Sequence, residues 1–186
     1  MAGQEREAAG MVRWVAAVAV LVLLWVEGAR AQGVETPLET AMQRNPDRFE
    51  ATMLDLVAGF GGPQGLTRDG IEEHVALERA SARASAMRRL MAMDLNADGD
   101  VEREEMIVAQ RAASAGTRGR TERQFAAADA DGDGRVTAAE IAADGNAASL
   151  RALGEDEEAL LLSILTLDSD GDGALSAGEL RAAVAR

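Results

Sequence analysis

Most of this chain alternates between stretches with apolar residues three and four apart and short polar, glycine-rich turns. That spacing predicts helices over 49–58, 71–93 (one long helix or two joined), 106–113, 121–128 starting on a Thr cap, 141–153, 155–167 and 179–184. The helix over 141–153 is expected to break near Gly145 and Asn146. Single apolar residues sit inside three of the polar turns: Val101, Val136 and Leu175. They are β-prone and able to pair two turns through a short strand. The class predicted is all-α, built from helix–turn–helix units.

The polar turns share one pattern. They are 94–105 (DLNADGDVEREE), 129–140 (DADGDGRVTAAE) and 168–179 (DSDGDGALSAGE). A hard cation such as calcium takes six to eight oxygen ligands, and a twelve-residue loop supplies them from positions 1, 3, 5, 7, 9 and 12. Positions 1, 3 and 5 are Asp94, Asn96 and Asp98; Asp129, Asp131 and Asp133; Asp168, Asp170 and Asp172. Position 7 offers only its backbone carbonyl and is Asp100, Arg135 or Ala174. Position 9 often acts through a water and is Glu102, Thr137 or Ser176. Position 12 is a Glu long enough to chelate with both oxygens: Glu105 (chosen over the adjacent Glu104), Glu140 and Glu179. Position 6 must turn sharply, which glycine does cheaply, and it is Gly99, Gly134 or Gly173. A merely solvated acidic turn requires neither the Glu at position 12 nor the apolar residue at position 8. The expected cofactor is therefore calcium, three ions per chain.

Loop starts at 94, 129 and 168 give a repeat of about 35–40 residues. One step earlier, 59–70 (GFGGPQGLTRDG) keeps the apolar frame at Leu66 and Ile71 but has no ligands. It is expected to be a degenerate unit that binds no ion and pairs with the first complete loop. From about Phe49 to Arg186 the chain resembles the calmodulin-like EF-hand calcium-binding proteins, in an exported bacterial form. The resemblance implies two lobes of two hands: 49–113, with the degenerate loop first, and 121–186, joined by a linker at 114–120. It carries the family's metal ligands to the eighteen loop positions named above. It departs from the family in the silent first hand and in low aromatic content.

Composition changes the picture at the ends. The apolar run 14–26 (WVAAVAVLVLLWV) follows Arg13 and is short for a membrane span but suits a signal-peptide core. Ala29-Arg30-Ala31 supplies a small-x-small cleavage pattern, so 1–31 is read as a signal peptide. Translation from Met11 would give a cleaner one than Met1, since Glu5 and Glu7 spoil the basic start. The segment 32–48, with Pro37 and Pro46, is expected to be a mobile leader. The expected location is periplasmic or secreted, with no membrane association after cleavage. Cysteine is absent, which excludes disulfides, and the net charge of −13 argues against nucleic acid and anionic lipid.

Catalysis is not expected. The one histidine, His74, stands without a nucleophile pattern, and the paired carboxylates are already explained as ligands. Two functions remain, the first the expected one and the second its alternative. In one, calcium opens a groove in the methionine-bearing first half (Met42, Met53, Met87, Met91, Met93, Met106), which engages another exported protein. In the other, the chain is a constitutive calcium buffer or calcium-stabilised structural module, and the methionines fill a core.

Overall fold

The structure, a computed structural model, describes residues 36–186. The expected signal peptide, 1–31, and residues 32–35 lie outside them. Residues 41–186 form one compact unit.

The first described segment departs from the expected mobile leader. Apart from Asn45, residues 37–48 are helical, in α1 (Pro37–Arg44) and the start of α2 (Pro46–Phe60). Both prolines open a helix, where the missing N–H has no intrahelical partner to lose. Asn45 caps α2 by accepting from the Arg48 N–H at 3.1 Å.

The remaining elements in chain order are β1 (Leu66–Thr67), α3 (Arg68–Met91), β2 (Val101–Glu102), α4 (Arg103–Ala109), α5 (Ala115–Ala128), β3 (Arg135–Val136), α6 (Ala138–Ala152), α7 (Glu155–Ser163), a 3-10 turn (Ile164–Leu167), β4 (Ala174–Leu175) and α8 (Ala177–Val184). The fold is mostly helical, as expected. The two-residue strands pair antiparallel in an order the consecutive-lobe expectation missed: Val101 faces Val136, and Leu66 faces Leu175. The degenerate turn thus pairs with the last loop, and the two middle loops pair with each other.

Helix continuity explains the crossing. Helix α3 runs 24 residues with no glycine or proline after Gly70. At 1.5 Å per residue it is about 36 Å long and cannot fold back on itself. It carries the first turn and the 94–105 loop to opposite ends. The connection between the middle loops, residues 106–128, is as long but breaks between α4 and α5 and reverses direction there. There Arg118 donates to the Arg111 and Ala113 carbonyls at 2.6 and 3.2 Å, bracing the turn. The expected linker 114–120 is the opening of α5, capped by Ser114, whose hydroxyl accepts from the Thr117 N–H at 3.3 Å.

Helices α3 and α6 pack along each other in opposite directions. Arg79 donates to the Leu153 carbonyl at 2.9 Å and pairs with Glu158 at 2.9 Å. Further along α3, Met87 and Arg83 meet Gly145, where an added Cβ would lie 2.7 Å from the Met87 Cγ. Gly145 therefore marks a close helix crossing, and α6 is continuous through it rather than broken. One core, under the middle loops, gathers Leu90, Met93, Val101, Met106, Phe125, Ala128, Val136 and Ile141. At the other end Met53, Leu56, Leu66, Ile71, Val75, Ile164, Leu175 and Leu180 are buried.

Candidate metal centres

Each complete loop follows the same internal wiring. The position-1 carboxylate accepts from the N–H groups of positions 4 and 6. Asp94 takes Ala97 and Gly99 at 2.7 and 3.0 Å, Asp129 takes Gly132 and Gly134 at 2.8 and 3.1 Å, and Asp168 takes Gly171 and Gly173 at 2.8 and 2.9 Å. Asn96, Asp131 and Asp170 accept from the N–H two residues on, and so do Asp98, Asp133 and Asp172, at 2.8–3.2 Å. Together these bonds coil the backbone so that the position 1, 3 and 5 side chains converge. In 129–140 the carboxylates of Asp129, Asp131 and Asp133 offer oxygens within 4.8 Å of one another, and in 168–179 Asp168, Asp170 and Asp172 do the same. The 94–105 loop has Asn96 at the third position, so it holds two carboxylates and an amide there.

The coil requires left-handed backbone at two places per loop. The position-6 glycines Gly99, Gly134 and Gly173 have φ of 91°, 87° and 86°. Position 4 is also left-handed, at Ala97 (62°), Gly132 (74°) and Gly171 (75°), a requirement the sequence reading overlooked. Glycine recurring there in two of three loops was the signal. Ala97 meets it without glycine, at a local cost.

The position-12 glutamates fold back over their loops. Glu105 accepts from Leu95 and Asn96 with Oε1 (2.9 and 3.1 Å) and from Glu102 with Oε2 (3.0 Å). Glu140 accepts from Ala130 and from Thr137, and Glu179 from Ser169, Asp170 and Ser176. Position 9 has a second role the sequence reading missed. Thr137 and Ser176 cap the outgoing helix, accepting from the Glu140 and Glu179 N–H groups at 3.4 and 3.2 Å. The Thr/Ser-x-x-Glu spacing is a capping box and was visible in the sequence.

These bonds hold the glutamates ionised. The Ser176 and then the Ser169 N–H lower Glu179 from 4.5 to about 2. The Thr137 N–H leads the lowering of Glu140, and the Glu102 N–H that of Glu105. A carboxylate lowered on folding stabilises the folded chain above its unfolded value and loses that contribution as pH falls through the folded one. For Glu179 the window runs from 4.5 down to about 2. In chelator, the melting temperature should fall with acid across this window, and Glu179→Gln should flatten the slope. An unchanged slope would contradict the assignment.

Position 7 separates the loops. Ala174 is apolar and buried, whereas Asp100 and Arg135 interact across the paired strands. The turn 59–70 forms no cup. Gly62 and Gly65 bond each other in both directions, at 2.8 and 3.1 Å, closing a tight turn over Pro63 and Gln64. Residues 59, 61, 63 and 70 offer no side-chain oxygen. His74 packs edge-on against Phe60, with ring centres 4.9 Å apart.

Compared with known families, the chain matches the EF hand at 122–143 and 165–185. The matched segments contain the clusters at 129–133 and 168–172. The chain carries an EF-hand domain with two hands. No curated relative and no solved structure matches it. The two EF-hand loops present all-oxygen, anionic donor sets, which fit a hard divalent cation and calcium in particular. A bound ion would neutralise carboxylates that otherwise crowd together. The loop 94–105 lies outside the match and repeats its hydrogen-bond wiring.

Proposed function

We propose that this is an exported calcium-binding EF-hand protein with three ion sites, in which bound calcium stabilises one cross-paired unit. The observation that carries the third site is the wiring of 94–105, with Asp94, Asn96, Asp98 and Glu105 arranged as in the two EF-hand loops. The proposed ligands are those residues with the Asp100 carbonyl and Glu102; Asp129, Asp131, Asp133, Glu140, Thr137 and the Arg135 carbonyl; and Asp168, Asp170, Asp172, Glu179, Ser176 and the Ala174 carbonyl. A constitutive module is favoured over a responsive one by the methionines. Met53, Met93 and Met106 are buried and Met87 packs on the core, against an exposed Met91 and a half-buried Met42.

One observation keeps the responsive reading alive. A groove of about 650 Å³, lined by Phe49, Met53, Leu160, Leu161 and Ile164 and rimmed by Arg44 and Arg48, lies in the half with a single complete loop. An exported protein partner would dock there.

Export rests on the segment 1–31. Among the described residues no helix is long and apolar enough to cross a membrane. Calorimetric titration of the chain should give three calcium ions, with none at 59–70. Two ions would remove 94–105 from the reading, and fewer than two would overturn it. Mass spectrometry of the protein from its own host should find Gln32 at the N-terminus, and a chain retaining Trp14 and Trp25 would contradict export with cleavage.

A further inference from the structure

A cationic side chain from the paired loop lies against the loop 94–105. Arg135 stands at position 7 of its own loop and extends across the β2–β3 pair. Its Nη2 lies 2.5 Å from the Asp100 carboxylate and 3.6 Å from that of Asp98. Asp98 is the position-5 ligand of 94–105, and Asp100 occupies position 7 there. Asp100 is held in turn by the Ala138 N–H, which donates to it at 2.7 Å and joins it to the start of α6. The Arg103 N–H reaches back to the Gly134 carbonyl at 3.1 Å. The strand register therefore brings the partly exposed guanidinium against the Asp100 carboxylate and beside that of Asp98. The loop 168–179 has no counterpart: its position 7 is Ala174, and the turn paired with it carries no ligands.

We propose that Arg135 is an internal competitor for the 94–105 site, an affinity-setting residue supplied by the paired loop. Held against Asp100, it stands 3.6 Å from the Asp98 carboxylate and opposes the arrival of a divalent cation by like charge. Calcium at 94–105 must bind Asp98 beside that charge. The site consequently fills at higher calcium than its four acidic side chains at positions 1, 5, 9 and 12 would otherwise give. The two middle loops are thereby coupled through a charged side chain as well as through their strands, while 168–179 titrates by itself. This inference rests on the reading of 94–105 as an ion site.

The test is a calcium titration of the full-length chain followed by the amide signals of the position-6 glycines, Gly99, Gly134 and Gly173. Each of these N–H groups bonds the position-1 carboxylate of its own loop, so each reports its own site. In Arg135→Gln, the Gly99 midpoint should move to about ten-fold lower calcium, the scale on which ligand charge tunes such loops. Gly134 should move the same way by less, and Gly173 should stay. Arg135→Lys keeps the charge and should hold Gly99 near its wild-type midpoint. The ion-free Arg135→Gln chain should also melt slightly lower than wild type. A Gly99 midpoint that is unchanged or moves to higher calcium in Arg135→Gln overturns the proposal, because a merely structural role for Arg135 predicts that direction. A wild-type Gly99 signal that never responds to calcium overturns the ion site itself, and the proposal with it.

Discussion

Glu140→Gln is expected to abolish calcium binding at 129–140 and to weaken it at 94–105, while leaving 168–179 near its wild-type affinity. The change replaces a carboxylate with an amide, so the charge and the second chelating oxygen are lost. Ligand charge moves loops of this kind across decades of affinity, so the local loss should be on the order of a hundred-fold or more. The route to 94–105 is structural. Val136 pairs with Val101, and the carboxylate that would be lost holds the Ala130 and Thr137 N–H groups in place. Glu179→Gln should behave differently. Its loop pairs with the ligand-free turn through Leu175 and Leu66, so the two middle sites should be unaffected. Site-resolved titration of both variants reads the pattern. Loss at 168–179 in Glu140→Gln, with 94–105 spared, would restore the consecutive pairing.

Phe125→Ala should be the most damaging core substitution. Phe125 is fully buried at the centre of the core beneath the middle loops. Truncating a buried phenylalanine costs about 3–5 kcal/mol, against a total of roughly 5–15 kcal/mol for an ordinary domain. The melting temperature in chelator should fall steeply or the transition should vanish, and saturating calcium should recover part of it, since ligand binding stabilises the folded state by mass action. Because the chain has no tyrosine and no tryptophan beyond Trp25, the melt is best followed by circular dichroism. A loss below about 1 kcal/mol would mean that this core is not where the middle loops are anchored.

What the sequence made legible was local. The ligand positions, the glycine at position 6 and the apolar residue at position 8 follow from the geometry of a twelve-residue loop. They can be read from residues such as Asp129, Gly134 and Val136 without knowing their neighbours. Pairing is a different kind of property. It depends on whether the segment after one loop can turn back before the next begins. Residues 71–91 contain no breaker, and that fact was available, but its consequence for Leu66 and Leu175 appears only when the whole path is built. Gly145 misled for a related reason. Glycine inside a helical pattern reads as a break, whereas here it gives room for Met87 of a helix more than fifty residues earlier in the chain. The prolines at 37 and 46 read as signs of disorder because helix starts and loops share them. Arg135 was passed over because position 7 contributes only its carbonyl within its own loop, and its side chain acts on the other.

The cross-strand contacts test the account most directly. In a nuclear Overhauser spectrum of the calcium-loaded chain, Val101 should show cross-strand contacts to Val136, and Leu66 to Leu175. Contacts between Val136 and Leu175, with none between Val101 and Val136, would contradict the crossed pairing and the coupling derived from it.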